Sequence, residues 1–254
     1  MKRVLILGGT AEARKLAERL AGRPEMAITL SLAGRTATPA PQPVPVRSGG
    51  FGGAAGLARY LAEEHVDALI DATHPYASLI SAHAVTAAQQ AGVPMVALRR
   101  PPWVAAAGDR WIEVNGVGEA MQALGETPRH VFVALGRSEL APFVNAPQHH
   151  YLIRSVDPVD PPLPLPHVSY VTGRGPFSEA KDCALMLTHR IEFVIAKNSG
   201  GDATYSKIAA ARSLCIGVVV LRRPPAPAAP AVETVDGALA WLDHALTSTT
   251  ARGV

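Results

Sequence analysis

Two hydrophobic rhythms alternate along the chain. Short unbroken apolar runs recur, and each gives way to glycine or polar residues and then to a longer stretch with apolar positions three and four apart. Runs of the first kind read as strands buried on both faces, and stretches of the second kind as helices laid over them. Val4–Leu7 is the first such strand, closed by Gly8-Gly9. Thr10 then caps a helix over Ala11–Ala21, with Glu12 in its first turn. A strand at Ala27–Leu32 leads into a proline-rich loop over 36–50, with an extended piece at Val44–Arg47. A helix at Ala54–Glu64, a strand at Ala68–Asp71, a helix at Ala77–Ala91 and a strand at Pro94–Leu98 follow. This alternation predicts a parallel sheet with helices on both faces.

The second half repeats the plan. Val4 to Glu12 matches Val131 to Glu139, Leu98-Arg99-Arg100-Pro101-Pro102 matches Leu221-Arg222-Arg223-Pro224-Pro225, and Val114-Asn115-Gly116 matches Val235-Asp236-Gly237. The three anchors keep their order with slowly drifting offsets, as a diverged duplication does. The expected class is therefore α/β: two similar Rossmann-like three-layer lobes with parallel sheets, 1–127 and 128–254, and an active cleft between them. The last eight residues read as a frayed tail. Each half closes with an extra strand and helix (Trp111–Val114 with 117–124, Val232–Val235 with 237–246) after a proline-rich connector. Such a connector delivers its strand to either lobe, so an exchange of terminal strands stays open.

Composition narrows the class. Of 254 residues, 48% are hydrophobic and only 18% charged, which excludes a disordered or coiled-coil chain. The net charge of +3, with 5% aromatics and no face interleaving the two, is too weak to argue for nucleic acid. Cys183 and Cys215 form neither a metal spacing nor a disulfide framework, which favours a reducing compartment. The opening apolar run is too short for a signal peptide, and Ile216–Leu221 is too short to span a bilayer. The expected location is the cytoplasm, without a membrane partner, as a monomer or small homo-oligomer.

In open parallel sheets, ligands lie beyond the carboxyl ends of the strands, so the residues there carry the candidate chemistry. After the first strand stand Gly8, Gly9, Thr10, Ala11, Glu12 and Ala13. Two readings hold: a cradle for a pyrophosphate at a helix N-terminus, or a tight turn with a threonine cap. Glu12 would repel a phosphate, which leaves it a helix-dipole or sugar-hydroxyl role. After the second strand the acid that would hold an NAD ribose is missing, and Ser31, Gly34, Arg35 and Thr36 stand there instead. An arginine fork with hydroxyls suits a 2′-phosphate, which points to NADP(H). After the Ala68–Asp71 strand come Thr73, His74, Pro75 and Tyr76; His74 sits at the mouth of the sheet, Pro75 suits a first helical turn, and Asp71 either orients the loop or caps the helix.

In the second half, Lys197, Asn198, Ser199, Gly200, Gly201 and Thr204 occupy the counterpart of the Asp71–Ala77 loop, and Lys207 lies one turn further on. The donor-rich loop reads as a ligand loop or as a glycine loop with a cap. Arg137, Arg154 and Arg174 fall at predicted strand ends, a cation set suited to a substrate with several carboxylates. His149-His150 reads as an exposed strand edge.

These motifs together resemble the precorrin-6A reductase family of cobalamin biosynthesis. Gly8 to Glu12, Leu32 to Thr36, Asp71-Ala72-Thr73-His74-Pro75-Tyr76-Ala77, Arg100-Pro101-Pro102-Trp103, Leu135-Gly136-Arg137, Gly175-Pro176-Phe177 and Lys197-Asn198-Ser199-Gly200-Gly201 carry the likeness over nearly the whole chain. The resemblance implies an NADPH-dependent reductase that delivers a hydride to C19 of a corrinoid precursor, with a proton added at C18. It places the Gly8–Ala13 turn on the pyrophosphate, Ser31 and Arg35 on the 2′-phosphate, and Thr73 and His74 beside the nicotinamide. Lys197 to Gly201, Thr204 and Lys207 would face the cofactor or the macrocycle carboxylates, and Tyr76, Arg137 and Arg174 the substrate. The proton donor is His74, Tyr76, Lys197 or a water, with His74 ranked first and Lys197 as second catalytic candidate. The alternatives are the same reduction on a cobalt-containing precursor, a related reductase for another polycarboxylate, and a non-catalytic NADP(H)-binding redox regulator.

Overall fold

The structure is a computed structural model that describes residues 1–34 and 40–250. The chain forms two compact units, Met1–Pro101 with Pro224–Val254, and Pro102–Arg223. Each is a six-stranded sheet, parallel throughout, with helices against it.

Unit 1 contains β1 (Lys2–Leu7), α1 (Ala11–Leu20), β2 (Met26–Leu32), β3 (Val46–Ser48), α2 (Gly53–Glu63), β4 (Ala68–Asp71), α3 (Ser78–Ala91) and β5 (Met95–Leu98). Unit 2 begins with β6 (Trp111–Val114), α4 (Val117–Leu124) and β7 (His130–Ala134). It continues through β8 (His150–Ser155), β9 (Val168–Thr172), α5 (Glu179–Thr188), β10 (Phe193–Lys197), α6 (Ser206–Ser213) and β11 (Gly217–Leu221). The chain then returns to unit 1 for β12 (Ala231–Val232) and α7 (Val235–Thr250).

The sheets run β12-β5-β4-β1-β2-β3 and β6-β11-β10-β7-β8-β9. Read from the other edge, both follow the doubly wound 3-2-1-4-5-6 order of dinucleotide-binding folds. Only the sixth place is exchanged. β6, which follows β5 in sequence, pairs with β11, and β12 pairs with β5. The expected boundary at 127 is therefore displaced: β6 and α4 belong to unit 2, and α7 supplies Val235, Ala238, Leu239, Leu242 and Leu246 to the core of unit 1. The expected tail from residue 247 is also corrected, because α7 stays helical to Thr250.

Period-two burial explains the layers. Val4 and Ile6 of β1 pack with Leu16, Leu20 and α7, while Leu5 and Leu7 pack with Leu57, Leu61 and Ala84 on the opposite face. In unit 2, Phe132, Val194, Val218 and Val220 pack against Met186 of α5 and Ile208 of α6. Each such buried side chain contributes roughly 1.5–3 kcal/mol of transfer free energy, and every central strand presents them on both faces. The register leaves β1 and β4 side by side with their carboxyl ends level, Leu7 opposite Asp71.

Candidate active site

In each sheet the strand order reverses between the first strand and its inner neighbour, β1 and β4 in unit 1, β7 and β10 in unit 2. Crevices for ligands open at such points, outside the carboxyl ends.

In unit 1 the β1–α1 turn is shaped for close approach. A Cβ on Gly8 would stand 2.6 Å from Leu30 Cδ1, and Gly9 has φ +109, the left-handed region that favours glycine. Gly8 N–H donates to the Ser31 carbonyl (2.9 Å), which ties the turn to β2. Thr10 caps α1: its Oγ1 accepts from Ala13 N–H (3.1 Å) and donates to the Ala72 carbonyl (2.8 Å), joining this turn to the β4–α3 loop. In that loop Asp71 Oδ1 accepts from Thr73 N–H (3.1 Å) and Thr73 Oγ1 (2.7 Å). Asp71 thus orients the loop. Tyr76 N–H donates to His74 Nδ1 (3.4 Å), and the two rings lie 5.6 Å apart, both half-buried. Pro75 falls in a turn rather than in the first helical turn, since α3 starts at Ser78.

The structure gives several of these residues protein partners of their own. Glu12, at the start of α1, forms an ion pair with Arg100, a partner the sequence does not announce. Ser31 is buried at the end of β2 and braces the glycine turn through its carbonyl. Gly34 holds φ +71 beyond β2; Arg35 and Thr36 lie outside the described residues.

In unit 2, Lys197 ends β10 and pairs with Glu139 (2.6 Å). The side chain of Asn198 is occupied by the Trp103 backbone, accepting from its N–H (2.7 Å) and donating to its carbonyl (2.9 Å). Trp103 Nε1–H donates to the Gly201 carbonyl (2.8 Å), and Arg223 clamps the Asn198 and Ser199 carbonyls at 2.8 and 3.0 Å. Gly200 and Gly201 both take φ +67, so this loop is a glycine turn stapled at both ends. The Asn198 side chain acts there as a brace for the Trp103 backbone.

Lys207 and Arg154, expected among cations facing a ligand, are interior. Lys207 is 4% exposed; its ammonium donates to the Thr204 carbonyl and lies 5.0 Å from the Trp103 ring centroid. Burial and the Arg154 charge push its pKa down to about 7, against a raising pull from Asp182. Arg154 bonds Asp182 (2.6 Å), whose other oxygen accepts from Ser206 Oγ (2.7 Å). Arg137 lies 3.8 Å from Asp157, and Arg174 is exposed. His149 is fully buried, not an exposed edge, because its ring packs edge-on against Tyr151 and accepts from Arg129 N–H (3.2 Å).

A family model described as precorrin-6x reductase CbiJ/CobK matches residues 3–243. The chain belongs to the precorrin-6x reductase family. It is 53% identical over 242 residues to precorrin-6A reductase from a Sinorhizobium species, covering 95% of this chain and 93% of that one. It is 48% identical to precorrin-6A reductase from Rhodobacter capsulatus, covering 100% of both. A solved structure, CobK precorrin-6A reductase, superposes with TM-score 0.93 at 47% identity, covering 96% of this chain and 97% of that one. The cobalt-precorrin-6A reductase of Methanothermobacter thermautotrophicus is more distant, 27% identical, covering 87% of this chain and 76% of that one.

As a member of the precorrin-6x reductase family, the chain is an oxidoreductase of Rossmann-like architecture, which implies a nicotinamide cofactor. The residues present fit a dinucleotide. A side chain on Gly8 would collide with Leu30, Gly9 turns the chain through a left-handed conformation, and α1 begins just beyond Thr10, where the N–H groups of a first helical turn have no backbone acceptor within the helix. Sequence reasoning missed Arg100, Asp182 and Glu139 as partners. The Val4–Glu12 and Val131–Glu139 match does mark Glu12 and Glu139 as equivalent acids, and each meets a cation in the folded chain.

Proposed function

We propose that this chain reduces precorrin-6A with NADPH in cobalamin biosynthesis. The observation that carries the reading is full-length identity of 48% to a precorrin-6A reductase. The cobalt-free substrate is favoured over the cobalt-containing one because relatives bearing the first name are 43–53% identical and those bearing the second 25–27%.

When bound, NADPH supplies a hydride, delivered to C19 of the macrocycle, and a proton enters at C18. The protein's task is placement. The Gly8–Ala13 turn takes the pyrophosphate on the N–H groups between Gly9 and Glu12, those of Gly8 and Ala13 being bonded within the fold. Gly34, Arg35 and Thr36 take the 2′-phosphate, with Ser31 bracing the turn. Thr73, held by Asp71, and His74 border the reactive ring. His74 is the proton donor, its ring positioned by Tyr76 N–H. In unit 2 the Lys197 to Gly201 loop, with Thr204, serves ligand contact, and Arg137 and Arg174 offer charge to the macrocycle carboxylates. In unit 1, Tyr76 is the substrate contact beside His74.

The test is anaerobic turnover of precorrin-6A and its cobalt form with NADPH or NADH, followed by macrocycle absorbance. Stoichiometric NADPH loss with the cobalt-free substrate is expected; cofactor binding without turnover would instead identify a redox regulator. Arg35→Ala should raise the Kd for NADPH about tenfold or more and leave that for NADH nearly unchanged. His74→Ala should slow single-turnover reduction by about 10²-fold or more with NADPH affinity retained. An unchanged single-turnover rate would remove His74 from the mechanism.

A further inference from the structure

The geometry points to a second ligand site at the amino-terminal edge of the unit 2 sheet, where three stacked imidazoles form a receptor for a small multivalent anion. His130 and His150 are the first residues of β7 and β8 and face each other in register. His167 immediately precedes β9, and its carbonyl accepts from Tyr151 N–H (2.9 Å). Neighbouring strands lie about 4.8 Å apart, so matched side chains on one face stack at that spacing. The His130 and His150 rings are 4.6 Å apart and 10° from parallel, and those of His150 and His167 are 4.2 Å and 15°.

This column borders a cavity of about 550 Å³, also lined by His189, Arg190 and Ser169. That volume lies in the range of small-molecule sites. Four imidazoles and a guanidinium line it, and no carboxylate does. Glu192, next in the chain to Ile191 of the lining, is engaged by Arg129 (2.8 Å) and by His130 N–H (2.9 Å). His149 is turned inward against Tyr151. Among the described residues no group of His, Cys, Asp or Glu is placed to hold a metal ion. Parallel rings do not converge on a point; their N–H groups instead offer a row of donors to an extended anion.

His150 is held below the usual histidine value by burial and by the flanking His167 and His130. An entering anion reverses that penalty, so binding takes up protons and strengthens as pH falls. The site lies at the opposite ends of the unit 2 strands from Gly136 and Lys197.

The experiment is isothermal titration calorimetry of the full chain with citrate and with pyrophosphate, at about pH 6 and about pH 8, with saturating NADP⁺ present. Expected are binding about tenfold or more tighter at the lower pH, net proton uptake, and loss of about tenfold or more in affinity in His167→Gln/Arg190→Gln. Reductase activity should be unchanged in that variant. Citrate alone, pyrophosphate alone, or both binding with this pH dependence each support the site and assign carboxylate, phosphate or charge as what is read. His167 is exposed, so His167→Gln alone serves as a folded control and should weaken binding severalfold. No saturable binding at the lower pH, or equal binding by wild type and variants, overturns the proposal.

Discussion

The Lys207 ammonium sits in the interior of unit 2, near Arg154 and Asp182, with a pKa of about 7 in the fold against 10.5 unfolded. Between those values the unfolded chain binds more protons than the folded one, so this group makes stability rise with pH through that window. The slope approaches about 1.4 kcal/mol per pH unit at most. Lys207→Met should abolish it: urea unfolding of wild type and variant, compared from pH 7 upward, should show the variant's relative advantage shrinking as pH rises. Parallel curves would mean that Lys207 keeps its proton in the fold over this range, with no lowered pKa. None of this was legible in the sequence. Its position one turn past a strand-end loop suggested a cation facing a ligand, because spacing reports the turn and not the depth. Lys197 was legible as a strand-end lysine, but its partner Glu139 comes from a distant segment.

Elements were far more readable than side-chain partners. β1, α1, β4, α3 and β5 follow from their apolar rhythm and the Gly8-Gly9 stop, with ends moved by a few residues. A threonine between the glycine turn and the helical stretch reads as a cap, and Thr10 caps α1. Its second bond, to the Ala72 carbonyl, depends on β1 and β4 being neighbours, which periodicity does not report. Thr10→Val removes both bonds. It should lower stability by about 1–2 kcal/mol and raise the NADPH Kd severalfold, measured by urea unfolding and fluorescence titration. Loss of stability with no change in Kd would confine Thr10 to capping. The β12 strand shows the opposite case. Val232–Val235 reads as a strand on composition, yet only Ala231–Val232 pair, because helix α7 starts at Val235.

Taken whole, the chain leaves one unit at Pro101 and returns to it at Pro224, so unit 2 is contiguous and unit 1 is not. A fragment of residues 102–223 therefore contains all six strands of its sheet and should fold cooperatively alone, with a circular dichroism melt close to that of unit 2 in the full chain. A fragment of 1–127 lacks α7, which packs on α1 and β1 residues of the core, and carries β6 with no partner. It should be unfolded or aggregated. The reverse result would refute the exchange. The duplication was visible in three sequence anchors, and so was the option of exchange. Both lobes end in similar strand–helix segments, so either docking satisfies the hydrophobic pattern equally well.

Local physics determined much from the sequence alone: buried parallel strands, the glycine turn that opens α1, the threonine cap, the repeat, and the motifs that carry the family. Those depend on residues adjacent in the chain, where spacing dictates geometry. Tertiary structure alone decided which sheet receives β6 and β12, that Lys207 and Arg154 are interior, that Glu12 meets Arg100, and that three histidines stack. Each of these joins segments remote in sequence, and pairing across such distances is set by the free energy of the whole packed unit, which no local pattern encodes.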